Sequence, residues 1–340
     1  MKEGGFWPQA ADDVPTWMTR HGTLSTNLGY SEPDEMNATQ SSNLTVVMGY
    51  RDSLTKAAIK NVIVVVLGIS INYINICLIQ TFSKHQVFNT NPRYILFLHL
   101  VVNDMIQVSL TVFLFIISYT LYKINVSICG AFILLALFAT ENTPLNLACM
   151  AVECYIAICL PLHHAQICTV RRTKVLIGLI WMTSMLSVLP DLFIALAIEP
   201  PSFFKSRVFC VRETVFRNPH IIRKRDITYI VYLAVVWIVI LYTYFKIIFT
   251  VKMAKNDARK ARNTILLHGF QVMLCMATYA EPQLRLALHK AFPEHSNDFS
   301  FACYVVVYVL PRSISPVVYG IRDSTFRKYL RRHLQCSSCT

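Results

Sequence analysis

Charge is what this sequence has least of: Asp, Glu, Lys and Arg make up 15% of its 340 residues, against 54% that are hydrophobic. A soluble globule of this length could not coat its surface with so few charges, so the composition excludes that class and points to a chain solvated by lipid. Glycine is sparse too, at 10 residues, and no Gly-rich phosphate loop occurs. The 10 histidines lie scattered among loops and span ends, with no Cys/His metal spacing. No enzyme is readable from these patterns, and neither a metal nor another cofactor is expected. His163 and His164 read as interfacial residues of a loop. Internal repeats and Gly/Ser linkers are also missing, so a second domain is not expected. Residues 1–35 are polar and hold no apolar stretch behind a basic start, so a cleaved signal peptide is not expected and the first long helix inserts as an anchor. That segment reads either as a tail or as an upstream extension of a start at Met36.

What is present is a series of apolar runs. A helix rising about 1.5 Å per residue needs roughly 20 apolar residues to cross the hydrocarbon. Seven runs meet this, near 57–82, 94–119, 128–160, 175–198, 227–251, 264–288 and 299–321. The expected organisation is an extracellular tail over 1–56, a membrane domain over 57–321 and a cytosolic tail over 322–340. The net charge of +13 would suit nucleic acid, but the basic residues sit between these runs and so flank a membrane; lipid is an expected partner and nucleic acid is not.

Orientation follows from where Lys and Arg collect. Lys246, Lys252, Lys255, Arg259, Lys260 and Arg262 follow span five, and Arg322, Arg327, Lys328, Arg331 and Arg332 follow span seven, which places both segments in the cytosol. The connection after span four conflicts, with Lys205, Arg207, Arg212, Arg217, Arg223, Lys224 and Arg225 on what would be the outside. Glycosylation sequons at Asn37, Asn43 and Asn125 all fall on that outer side and decide the matter, giving a plasma-membrane protein with its N-terminus outside.

Several strings carry a resemblance. Met150-Ala151-Val152-Glu153-Cys154-Tyr155-Ile156-Ala157-Ile158-Cys159-Leu160-Pro161-Leu162 resembles the odorant-receptor signature at the cytosolic end of span three. Lys260-Ala261-Arg262-Asn263-Thr264 with His268 is similar to the start of span six in that family. Ser315-Pro316-Val317-Val318-Tyr319-Gly320, with Arg322 and Phe326-Arg327-Lys328, resembles the end of span seven and the short helix after it. Asn91-Pro92-Arg93-Tyr94, Asn103-Asp104 and Val170-Arg171-Arg172-Thr173 are similar to receptors of bony fish, in particular the odorant receptor 131-2-like group. The resemblance runs from about residue 43 to residue 334. It implies an all-α, rhodopsin-like bundle of seven transmembrane helices with a short amphipathic cytosolic helix after span seven. It further implies a small-molecule odorant bound in the outer half, and a heterotrimeric G protein that raises cyclic AMP. A disulfide between Cys129 and Cys210 is implied with it.

The alternatives are a receptor of the same fold that binds ligand without efficient coupling, and a channel or transporter, which would need repeated halves or broken helices that the sequence does not show. An amine receptor is disfavoured, because the usual span-three acid position is Ala136.

Within the spans, charged groups are costly unless paired or hydrated, so Asp104, Glu141, Asp191, Glu281 and Arg312 are expected to face the interior, or, for Glu141, Asp191 and Glu281, the outer interface. Ala136, Leu137, Thr140 and Glu141 share a face of span three, and Phe301, Val305 and Tyr308 a face of span seven; with Tyr279 of span six they are expected to line one ligand cavity. Glu153, Cys154, Tyr155, Tyr244 and Tyr319 mark the G-protein face. Cys154 stands where the resemblance expects arginine, and Ser315 where rhodopsin-type receptors usually have asparagine. Without that arginine, little ionic locking of Glu153 is expected. Arg312 is expected to supply a cation for Asp104, in place of the sodium ion that many receptors of this fold hold, with Asn75, Thr143 and Ser315 completing the polar network.

Overall fold

A computed structural model describes residues 54–121, 123–251, 258–292 and 295–314. Seven long helices dominate: α1 (Leu54–Lys84), α2 (Pro92–Thr120), α3 (Val126–Cys159), α4 (Val170–Ile198), α5 (Pro219–Val251), α6 (Ala258–Ala291) and α7, which opens as Ser296–Tyr304. Helix α7 passes through a π-helical turn, Val305–Val309, and runs on helically to residue 314. Each of α1 to α5 is by itself long and apolar enough to cross a bilayer. Helix α6 is as long, but basic residues at both ends, from Arg259 to Arg262 and from Arg285 to Lys290, shorten its apolar stretch. Helix α1 begins at Leu54, inside the segment assigned to the tail. The short helix expected after span seven lies outside the described residues.

Local chemistry sets the helix starts. Asn91 accepts from the Arg93 amide at 3.1 Å with Pro92 in the first turn, so α2 begins there. Asn125 caps α3 through the Ser127 amide at 2.9 Å, and Thr169 caps α4 through the Arg172 amide at 3.3 Å. Each side-chain oxygen satisfies an amide that no helical carbonyl can reach.

Helix α3 is the hub, packed against α2, α4, α5 and α6. Leu147, Met150 and Ala151 of α3 join Leu78 and Phe82 of α1, Leu96, Phe97 and Leu100 of α2, and Val236 and Ile240 of α5 in the largest apolar core. Phe82, Phe88, Tyr94 and Phe97 tile together there, with ring centroids 4.8 to 5.9 Å apart. Helices α1 and α2 approach closely at Gly68, where a Cβ would meet Val112 Cγ2 at 2.7 Å; small residues permit such contacts between membrane helices. Ile59, Val66, Ile69, Leu186, Ile230, Ile238 and Phe249 point outward, as lipid solvation permits.

The connection between α4 and α5 folds back on the start of α3. Its strand β2 (Arg207–Val208) pairs antiparallel with β1 (Ile124–Asn125), and Cys210 is disulfide-bonded to Cys129. Cys129, Ile133, Ala195, Val215, Phe216 and Ile221 make a second apolar cluster beneath it.

Candidate functional site

Three polar clusters divide the bundle along its length. At the Cys129 end, Asp191 of α4 is buried with two cations, Lys224 Nζ of α5 at 2.6 Å and Arg212 Nη2 of the α4–α5 connection at 3.8 Å. Lys224 also donates to the Ser187 carbonyl at 2.6 Å, and Arg212 Nη1 to the Tyr229 hydroxyl at 2.7 Å. The Ser187 hydroxyl donates to Glu141 Oε1 at 3.1 Å, and Tyr232 donates to the Glu141 carbonyl. Glu141 and Asp191 are both 3% exposed. The interface alternative for these two acids is therefore corrected: both sit among helices, held by partners on α4, α5 and the connection.

The α3 and α7 stripes, expected to line one cavity, turn to different neighbours. Thr140 accepts from Gln107 of α2 at 2.8 Å and donates to the Ala136 carbonyl, Leu137 joins the apolar cluster under the disulfide, and Glu141 faces α4 and α5. On α7, Phe301 stacks near Phe115 of α2 at 5.8 Å and beneath Lys60 of α1 at 5.6 Å. Val305 opens the π-turn, and Tyr308 donates to Glu281 of α6 at 3.4 Å. Glu281 is buried and also pairs with Arg285 at 3.3 Å. Tyr279 lies on α6, its side chain outside the described set. Lys60, 2.8 Å from Asp298, ties α1 to the start of α7.

The middle cluster holds Arg312, with Nη1 3.3 Å from Asp104 Oδ1 and 3.0 Å from Thr143 Oγ1. Asn103 donates to the same Thr143 hydroxyl at 3.0 Å and to the Ala139 carbonyl at 2.8 Å. Asn75 is fully buried, yet neither polar atom of its amide has a partner among the described residues, so it does not complete the network as expected. Ser315 lies outside the described residues.

At the opposite end, Glu153 of α3 is clamped. Arg93 of α2 donates to it from Nε at 2.9 Å and from Nη2 at 3.4 Å, and His164 Nε2 lies 3.2 Å from Oε1. The expectation of little ionic locking at Glu153 is thus corrected: the adjacent arginine is missing, but one from another helix and His164 of the short helix after α3, Pro161–Ile167, stand in. Cys154 is buried against Ile247 of α5, with Tyr155 and Tyr244 packed around them. Tyr319 lies outside the described residues.

Of the three sequons, Asn37 and Asn43 lie outside the described residues. The Asn125 amide nitrogen, the atom a glycan would take, donates to the Lys205 carbonyl at 3.4 Å while its oxygen caps α3.

The basic connection after α4 is largely self-compensated. Arg217 forks onto Glu199 with contacts of 2.9 and 2.6 Å, and Arg225 meets Asp226 at 3.0 Å. Hydrogen bonds from Arg217 hold the Glu199 carboxyl below the usual carboxylate range. Sequence reasoning singled out Asp191 only as an intramembrane charge and missed Arg212 and Lys224 as its partners, and Ser187, Tyr229 and Tyr232 as further members of the cluster. The available signal was the two cations that the positive-inside rule could not place.

Comparison with known proteins agrees with this architecture. Residues 74–319 match the family described as 7 transmembrane receptor (rhodopsin family). Odorant receptor 131-2 of Danio rerio is 28% identical over 80% of this chain and 84% of its own length. Olfactory receptor 51Q1 of Homo sapiens is 26% identical over 52% of this chain and 57% of its own. A shorter match, 44% identical over 17% of this chain and 13% of the relative, is to G-protein coupled receptor 39 of Mus musculus.

Proposed function

The chain belongs to the rhodopsin family of seven-transmembrane receptors, a multi-pass membrane protein with the chemosensory receptors among its relatives, and from that premise we propose that it binds a small odorant in the half of the bundle beneath the Cys129–Cys210 disulfide. That end faces outward in this reading, with the N-terminus outside and the Glu153 end in the cytosol. There it engages a heterotrimeric G protein that raises cyclic AMP. The observation that carries the reading is the buried polar cluster of Glu141, Ser187, Asp191, Arg212 and Lys224 directly under the disulfide-pinned connection. Polar groups buried among membrane helices are costly and mark functional sites. The flanking Leu137, Tyr229 and Tyr232 suit a mostly apolar ligand with one polar head.

Expression in a heterologous cell with a cyclic AMP readout across an odorant panel tests it. A saturable, ligand-specific response supports the proposal; silence across the panel at verified surface expression overturns the coupling part. A second reading, a receptor that binds without efficient coupling, is favoured by Cys154, which sits buried against Ile247 and cannot make the charge-assisted bonds of an arginine. Cys154→Arg separates the two: a gain in signalling over the parent at matched surface levels supports the second reading, and no change supports the first.

A further inference from the structure

Both cations beside Asp191 are held by that carboxylate and by neighbouring groups. Lys224 holds Asp191 and the Ser187 carbonyl, each at 2.6 Å. Arg212 holds the Tyr229 hydroxyl at 2.7 Å and approaches Asp191 at 3.8 Å. An anionic ligand would have to displace Asp191 from both. The acceptors are another matter. Glu141 takes one hydrogen bond, from Ser187 to Oε1, and Oε2 is buried with no partner among the described residues. Gln107 is likewise 1% exposed, gives its Nε2–H to Thr140 next to Glu141, and leaves Oε1 buried without a partner. The amide orientation is fixed by Thr140, whose own hydroxyl donates to the Ala136 carbonyl and so must accept from Gln107. A buried acceptor left unmet costs more than a made hydrogen bond contributes, and an unmet carboxylate oxygen costs most. What Glu141 Oε2 lacks is therefore a donor, and the carboxylate asks for a charged one.

We infer that the ligand class of this receptor is the small primary amine, with its ammonium on Glu141 Oε2 and its apolar body among Leu137, Tyr229 and Tyr232. A primary ammonium carries three N–H donors and no acceptor, so it can charge-pair with Glu141 Oε2, where an alcohol brings only one neutral donor and a carboxylate none. The inference rests on the proposed receptor function and deepens it. It also reverses the argument from Ala136: the acid on α3 lies five residues further along the helix, about 7.5 Å deeper and on another face, at Glu141.

The experiment uses the full-length receptor in lipid nanodiscs, titrated with 2-phenylethylamine and a graded series of straight-chain primary amines, each beside the alcohol and the carboxylic acid of the same skeleton. Binding is read as ligand-dependent thermal stabilisation. Amines are expected to bind about ten- to a hundredfold more tightly than their alcohols, the size of one charge-assisted hydrogen bond. Glu141→Gln, which keeps the shape, should remove most of that preference, so that amine and alcohol of one skeleton bind about equally. Ser187→Ala, which only releases the aim of the carboxylate, should lower it partway, and it serves where the first variant does not fold. Alcohols or acids binding as tightly as amines to the parent would overturn the inference, as would amine affinity untouched by both variants. Silence to every amine, while the wider odorant panel evokes cyclic AMP, overturns it and leaves the receptor function standing; silence to both counts against the two together.

Discussion

Replacing Arg312 by alanine removes the cation paired with Asp104. The two side chains are 2% and 0% exposed and meet at 3.3 Å, so the substitution leaves a carboxylate among helices with the guanidinium gone. Removing one partner of a buried pair costs about 3–5 kcal/mol, most of it the penalty on the charge left behind. Thr143 loses its Arg312 donor in the same step and keeps its bond from Asn103, so the loss concentrates on Asp104. Asp104→Asn on top of Arg312→Ala removes the remaining buried charge, and the double variant should recover most of the lost stability, giving a coupling of about 1–3 kcal/mol in a double-mutant cycle. The single Arg312→Ala variant should also gain sodium dependence. A cation that binds only the folded receptor stabilises it by RT ln(1 + [L]/Kd), so sodium at ten times its dissociation constant restores about 1.4 kcal/mol. Thermal unfolding of purified receptor in sodium chloride and in choline chloride measures each quantity. The reasoning is refuted if Arg312→Ala unfolds like the parent, or if the double variant is as unstable as the sum of the two single ones, or if sodium stabilises parent and variant equally.

Three further outcomes follow from the same geometry. Arg93→Ala withdraws two hydrogen bonds from Glu153 but leaves His164, and Arg93 is about a third exposed, so the loss should be about 1–2 kcal/mol, seen as roughly five- to thirtyfold higher basal signalling at matched surface levels; unchanged basal activity in both Arg93→Ala and Glu153→Gln would dismiss the clamp. Glu199, whose pKa is depressed by Arg217, contributes stability that is full above its unfolded value near 4.5 and is lost as pH falls through the lower folded value. Because Arg217 is half exposed, Glu199→Gln should cost about 0.2–1 kcal/mol at neutral pH, and unfolding curves of parent and variant should converge in acid; a gap that persists or widens there would contradict the assignment. Cys129→Ser and Cys210→Ser should each destabilise by up to about 4–5 kcal/mol, the chain-entropy value for a closed loop of this size, and the double variant should lose no more than either alone.

How much of this was legible in the sequence depended on whether the quantity was local. Each helix was readable because hydropathy over some twenty residues is carried by those residues alone; the observed starts, by contrast, are set by capping side chains such as Asn91 on the Arg93 amide, which hydropathy does not weigh. The depth of a charge along its helix is also local, and this made Asp104 and Arg312 candidates for each other across 208 positions. Which face of a helix meets which neighbour is not local. The α3 and α7 stripes have the spacing of cavity walls, yet Glu141 turns to α4 and Tyr308 to α6, because rotation about a helix axis is decided by every helix packed against it. The same limit explains the basic connection after α4. Counting charges assumes each is exposed to the membrane potential and the headgroups. Arg212 and Lys224, however, are taken up by Asp191, 21 and 33 positions upstream, and Arg217 by Glu199. Cations committed to buried acids no longer report topology; they report a site. Glu153 makes the complementary case, since the missing neighbour at Cys154 was visible in the sequence while the replacement, Arg93, read only as a basic residue at a span end. A departure from a family pattern therefore locates where a function has changed hands, and the structure is needed to find which residue took it.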